Sequence, residues 1–193
     1  MHRLMDKLAH TMAVLGGLVL SFLIILTFLS VLGRTLNSIL HRQVEAIAPD
    51  VAQWFLDLGI GPITGDFELV EAGVAFAIFA FLPHCQLTSN HASVDIFTNL
   101  LPRRANRFLD MIIGIVFGAV LFLIAWKLYA GMLSKKSYGE TTFLLQFPVW
   151  WAYAASLFAA VTAAIAGIYM AVVRTLEFFT NKTIALADLE IET

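Results

Sequence analysis

The sequence predicts an all-α integral membrane protein with four transmembrane helices and an amphipathic surface helix between the first and the second. Of its 193 residues, 60% are hydrophobic and only 13% are charged, whereas about 25% of the residues in a soluble domain are charged. The mean hydropathy is +0.83. Charge-free runs recur along the chain, and about 20 apolar residues are enough to cross a bilayer.

The first predicted span covers residues 8–33. No Asp, Glu, Lys or Arg occurs between Leu8 and Gly33. The apolar region of a secretory signal peptide has only about 7–15 residues and ends at a small-residue cleavage site. We therefore expect a retained membrane anchor, in spite of the short basic segment that precedes it.

Residues 43–58 are predicted to form the amphipathic helix, which would lie on the membrane surface or on a partner. Pro49 fits the first turn of a helix or would kink it. The alternative is an ordinary ordered loop. Apolar side chains recur at helical spacing, at Val44, Ile47, Val51, Trp54, Phe55 and Leu58, with Glu45, Asp50, Gln53 and Asp57 between them.

The second predicted span, residues 67–87, is long enough to cross the membrane only if it includes charged or polar residues. Only 12 apolar residues separate Glu71 from His84, and they span about 18 Å of helix against about 30 Å of hydrocarbon. A crossing must therefore include Glu71 at one end, or His84 and Gln86 at the other, or both. The alternative is a re-entrant segment.

The third and fourth predicted spans cover residues 108–133 and 147–173. No Asp, Glu, Lys or Arg occurs between Glu140 and Arg174. We expect residues 1–180 to form one membrane domain, followed by a polar tail at residues 181–193.

The distribution of Lys and Arg predicts that both termini lie in the cytoplasm, because cytoplasmic loops carry an excess of these residues. The dense "PRRANR" loop then faces inward. The cytoplasmic set is Arg3, Lys7, Arg103, Arg104, Arg107, Arg174 and Lys182, and the outer set is Arg34, Arg42, Lys135, Lys136 and, near the interface, Lys127.

Glu68 and Glu71 are three positions apart and so share a face of the second span. An ionisable group in a span is a candidate proton or cation site, but a coupling site usually involves broken helices and convergent backbone oxygens, and the sequence shows neither. We expect a structural or subunit-contact role, in which these carboxylates bond to a neighbouring helix or to lipid headgroups.

Small residues recur at helix-packing spacing in the last two spans. Such residues let helix backbones approach closely in a membrane. The aromatic residues that open the last span, Trp150, Trp151 and Tyr153, are predicted anchors at the outer interface. The small residues are Gly114 and Gly118 in the third span and Ala155, Ala159, Ala163, Gly167 and Ala171 in the fourth.

No pattern predicts an enzyme, a metal site or a cofactor. His84, Cys85 and His91 have ligand side chains, but their spacing fits no standard zinc site. The single cysteine excludes an internal disulfide, and the net charge of −2 gives no case for nucleic acid. Gly-rich phosphate loops, nucleophile elbows and paired hydrolytic carboxylates are not found in the sequence.

Two segments resemble a known family. The first combines Glu71 in a membrane helix, the link "HCQLTSNHASVDIFTNLLP" with His91, Val94 and Asp95, and a basic loop. The second is "ETTFLLQFPVWWAY", which opens the last span. Both are similar to the small permease subunit of TRAP transporters, the DctQ-like family.

The resemblance implies a non-enzymatic subunit of the bacterial inner membrane. Its partners would be a large TRAP permease subunit, which holds the substrate and sodium sites, a periplasmic solute-binding protein, and membrane lipids. The small subunit would scaffold an elevator-like uptake of an organic acid or similar solute, with Glu71, His91 and Asp95 as structural or contact positions. Two alternatives stay open: a haem-bearing anchor of a respiratory enzyme, and a small proton-coupled transporter that uses Glu71.

Overall fold

The computed structural model describes residues 2–44, 49–57, 59, 61–88 and 103–180. Helix α1 covers His2–Ile39 and continues into a π-helical turn, Leu40–Val44. The other helices are α2, Pro49–Asp57; α3, Asp66–Leu87; α4, Arg103–Tyr138; and α5, Trp150–Thr180. His91, Asp95 and the predicted tail, residues 181–193, lie outside the described residues.

The predicted fold class is confirmed, because α1, α3, α4 and α5 are each long and apolar enough to span a membrane. With 22 residues, α3 is about 33 Å long, which just exceeds a hydrocarbon core of about 30 Å. The helix includes both Glu71 and His84. The helix therefore takes in the polar residues at both of its ends, where the sequence analysis required only one of the two.

Helix α5 lies at the centre of the packing. It contacts α4 on one side and α3 on the other, and α3 in turn packs against α1. In its most apolar window 56% of the residues are buried, against 17–22% in the other three spans. The core cluster comprises Leu121, Ala125, Ala160, Ala163 and Ala164, with Phe79 and Leu82 packed against it. The edge helices α1 and α4 therefore expose long apolar faces.

The backbone near the C-terminal end of α1 lies very close to the turn that precedes α3. A Cβ atom built on Gly33 would lie 2.1 Å from the carbonyl oxygen of Gly61. Ser30 Oγ–H donates a hydrogen bond of 2.5 Å to Asp66 Oδ2, and Arg34 lies 3.9 Å from the same oxygen. These contacts hold the first turn of α3 against α1.

A short hairpin connects α4 to α5 across residues 139–149. The Thr142 N–H donates to the Phe147 carbonyl and the Val149 N–H donates to the Glu140 carbonyl, each at 3.0 Å. Gly139 has a positive φ of 63°, which glycine adopts without steric cost. The hairpin brings α5 back antiparallel to α4 and places the tip of the turn over the start of α3.

The predicted amphipathic segment contains a helix, α2, and Pro49 is its first residue. Proline suits that position because the first N–H of a helix has no intrahelical partner. Trp54 and Phe55 are exposed, and their rings meet edge to face with centroids 5.0 Å apart. Residues 45–48 and 58 of the predicted segment lie outside the described residues.

Candidate functional site

Glu68, in the first turn of α3, holds the tip of the hairpin. Its Oε1 accepts a hydrogen bond of 2.7 Å from the Leu144 N–H, and its Oε2 accepts one of 3.0 Å from the Leu145 N–H. Glu68 is only 6% exposed. Hydrogen bonds to a charged acceptor are stronger than neutral ones, so this carboxylate joins two segments that are distant in the sequence.

The hairpin presents these two N–H groups because its tip is sharply bent. Gln146 has a positive φ of 55°, a conformation that few non-glycine residues adopt. Leu145 packs onto the turn before α3, where a Cβ atom on Gly65 would lie 2.5 Å from Leu145 Cγ. Gly65 also has a φ of 79°. Both the backbone conformation and the close packing therefore favour glycine at position 65.

Asp66 makes a second connection at the same end of the protein, toward α1. In addition to the contacts with Ser30 and Arg34, its Oδ1 accepts a hydrogen bond of 2.8 Å from the Phe67 N–H. The sequence analysis did not single out Asp66 or Ser30. Hydroxyls within an apolar span were the available signal, because a hydroxyl in hydrocarbon usually has a hydrogen-bond partner. That signal does not single out Ser30, since Thr11, Ser21 and Thr27 of the same span bond to carbonyls of α1 itself.

Glu71 lies one turn further along α3 and differs from Glu68. Its side chain is exposed, and among the described residues it has no ion pair and no side-chain hydrogen bond. Two lysines at this end of the protein contact other groups: Lys135 pairs with Glu140 at 2.6 Å, and Lys136 lies 5.2 Å from the ring centroid of Trp150. Within the described part of the chain, the carboxylate of Glu71 is thus exposed, unlike that of Glu68.

Both glutamates line one cavity of about 550 Å³. The cavity lies between α3 and α5, beneath the hairpin, with Leu128 of α4 at its side. Its walls are mainly apolar and include the rings of Phe67, Phe79, Phe147 and Tyr153. The helix face that the two carboxylates were predicted to share thus forms one wall of a cavity at the hairpin end of the protein.

The predicted small residues pack mainly against each other within the chain. A Cβ atom on Gly118 would lie 3.2 Å from the Gly167 carbonyl oxygen, and one on Gly114 would lie 3.5 Å from Ala171 Cα. Ala159 and Ala163 are fully buried, whereas Ala155 is exposed. Most of these small residues therefore form the contacts between α5 and its neighbours in the same chain. The exposed Ala155 is the exception.

The aromatic residues at the start of α5 have different surroundings. Trp151 is exposed, and its ring meets that of Trp150 edge to face with centroids 6.2 Å apart. Tyr153 packs closely on α4, since a Cβ atom on Gly131 would lie 3.0 Å from its ring. Tyr153 therefore contributes to helix packing, whereas the role of these residues as interfacial anchors stays a prediction.

At the opposite end of α3, the ring of His84 lies 6.4 Å from the ring of His10, centroid to centroid. Cys85 is a free cysteine beside it. Among the residues that the structure describes, no group of three or more His, Cys, Asp or Glu side chains could hold a metal ion. The described part of this end therefore offers no metal centre.

The chain matches the model of a protein family. The family model described as "Tripartite ATP-independent periplasmic transporters, DctQ component" matches residues 23–177, which is most of the chain and includes every contact of the hairpin end described above. Comparison with curated proteins and with solved structures found no match.

Proposed function

The chain belongs to the DctQ family of tripartite ATP-independent periplasmic (TRAP) transporter components, and we propose that, as the small membrane subunit, it scaffolds a large permease subunit. The transporter would take up an organic acid or similar solute, delivered by a periplasmic solute-binding protein and coupled to sodium. The family is a transporter component and not an enzyme family.

The observation that carries the scaffold role is the set of carboxylate contacts at the hairpin end of the protein. Glu68 joins α3 to the hairpin, and Asp66 joins α3 to α1. A scaffold must keep its shape while a partner moves against it, and buried charge-assisted hydrogen bonds resist local opening. These carboxylates are already engaged within the chain, which favours a structural role for them over ion coupling.

The exposed faces of α1 and α4 are the surfaces that we propose for the large permease and for lipid. Large apolar side chains such as Phe22, Phe28, Phe122 and Trp126 are more than half exposed there. Gly114, Gly118, Ala159, Ala163 and Gly167 would then be structural, because the helices of this chain use them. Ala155, Glu71, His91 and Asp95 remain proposed contact positions.

We propose an inner-membrane location with both termini in the cytoplasm. The hairpin, α2 and the start of α3 would then lie on the periplasmic side, where a solute-binding protein could approach. A reporter that is active only in the periplasm should be active when fused at Ser137 and inactive when fused at Asn106. The reverse pattern would contradict the proposed orientation.

The main test is co-expression with a large TRAP permease. The two subunits should co-purify in mild detergent, and vesicles should take up solute only when they contain both subunits and are supplied with the binding protein. Failure of two well-folded subunits to co-purify would contradict the scaffold role. Uptake or efflux by this chain alone would support the proton-coupled alternative, and a haem band in a reduced-minus-oxidised spectrum would support the respiratory alternative.

A further inference from the structure

We propose that the cavity beneath the hairpin binds a phospholipid that carries a primary ammonium group, of the phosphatidylethanolamine type. Its ammonium group would pair with Glu71, and one acyl chain would fill the apolar space between α3 and α5. This inference rests on the cavity of the single chain and does not depend on the proposed transporter role.

The size of the cavity suits an acyl chain better than a helix. One turn of a helix about 10–12 Å in diameter and 5.4 Å long occupies roughly 400–600 Å³, so the cavity of about 550 Å³ would accept about a single turn. A helix that crosses the membrane has five or more turns. A slender flexible chain can enter the same space from the lipid side.

The lining of the cavity suits an amphipathic molecule. Aromatic and aliphatic side chains form most of the wall, and the two carboxylates lie toward its outer end. Both oxygens of Glu68 accept backbone hydrogen bonds from the hairpin. Glu71, whose side chain is exposed, is therefore the carboxylate that can bind the polar part of the ligand.

Glu71 lies close enough to the membrane surface for its carboxylate to reach a lipid headgroup. Glu71 lies five residues after Asp66, the first residue of α3, so its backbone is about 7.5 Å from the start of the helix. Because α3, at about 33 Å, only just exceeds a hydrocarbon core of about 30 Å, the Glu71 backbone lies about 6 Å inside the boundary with the interfacial layer. Helical side chains lean toward the N-terminus, which brings the carboxylate of Glu71 back toward this layer.

The charges at this end predict which lipid is preferred. A primary ammonium can donate hydrogen bonds to a carboxylate, whereas the quaternary ammonium of phosphatidylcholine cannot. Anionic phosphatidylglycerol would approach the two carboxylates that line the cavity, those of Glu68 and Glu71, and like charges repel each other at this range. We expect phosphatidylethanolamine to bind most tightly and phosphatidylglycerol least tightly.

The test is native mass spectrometry of the purified chain, titrated separately with the three lipids, all with identical acyl chains. The wild-type chain should retain phosphatidylethanolamine about tenfold more tightly than phosphatidylcholine, which corresponds to one charge-assisted hydrogen bond. Glu71→Gln should abolish this preference. Glu140→Gln is the matched control, because it removes a carboxylate at the same end that pairs with Lys135 and does not line the cavity.

A second variant tests the acyl-chain part of the site without changing its charge. Ala75 lines the cavity, so Ala75→Trp should fill the space and weaken binding of all three lipids alike. Circular dichroism and the thermal midpoint should show that each variant is folded. Equal affinity of the wild-type chain for the three lipids would overturn the proposal, as would an unchanged preference in Glu71→Gln. If Glu71→Gln weakened only co-purification with the large permease, a cationic side chain of that subunit would be the partner, and the lipid proposal would be wrong.

Discussion

The close approach of Gly33 to Gly61 predicts that replacing glycine by alanine is less favourable at position 33 of α1 than at position 17. In Gly33→Ala the new Cβ atom would lie 2.1 Å from the Gly61 carbonyl oxygen. In Gly17→Ala the new Cβ atom would meet nothing within 4 Å. Both substitutions replace glycine by alanine within the same helix, so each gains the same helix propensity of about 1 kcal/mol.

The expected penalty follows from the geometry. Cβ contacts shorter than 3.0 Å are essentially never observed, so the backbone at Gly61 must move by at least about 0.9 Å to accept Gly33→Ala. Overpacking of this kind costs about 1–3 kcal/mol. For a chain of this size, 1 kcal/mol corresponds to about 2–4 °C in the thermal midpoint. Gly33→Ala should therefore unfold at least about 2 °C below Gly17→Ala.

The assay is the thermal midpoint of the purified chain in one detergent, followed by size-exclusion chromatography. Limited proteolysis adds a local measurement, because a displaced Gly61 should expose the turn before α3 to cleavage. If Gly33→Ala were as stable as Gly17→Ala, or more stable, the close approach of α1 to this turn would be refuted.

Two further predictions concern the hairpin and the contact between α4 and α5. Glu68→Gln should accelerate hydrogen exchange at the amides of residues 144–145, because one carboxylate oxygen is replaced by an NH₂ group that cannot accept a hydrogen bond from them. The control variant Glu140→Gln should leave these amides protected. Equal exchange rates in the two variants would contradict the role of Glu68. Gly118→Ile should lower the thermal midpoint by several degrees, since it separates two backbones in direct contact, whereas Ala155→Ile at an exposed position of α5 should change it little. Equal losses from these two substitutions would mean that the small-residue contact is elsewhere.

Glu68 and Glu71 show which features of the site can be predicted from the sequence and which cannot. Their spacing predicted that Glu68 and Glu71 share a face, and both indeed line one cavity. The sequence did not distinguish their roles, because the partner of Glu68 is a backbone N–H group 76 positions away. Backbone donors carry no residue signature, so no motif indicated that the hairpin returns to α3.

For the small residues, too, the sequence predicts a contact but not its partner. Their four-residue spacing predicted close helix contacts, which depend only on the absence of bulky side chains along one face. It did not say which helix would be the neighbour. The structure packs Gly118 of α4 against Gly167 of α5, so most of the stripe is used within the chain.

The sequence by itself determined the membrane class, the four spanning helices and the family, because apolar length and short motifs are local properties of the chain. Tertiary structure alone decided that α5 is central, that Glu68 holds the hairpin, and that Glu71 is left exposed at the edge of an apolar cavity. These features depend on the relative positions of distant segments, which are set by backbone hydrogen bonds and by contacts between side chains far apart in the sequence.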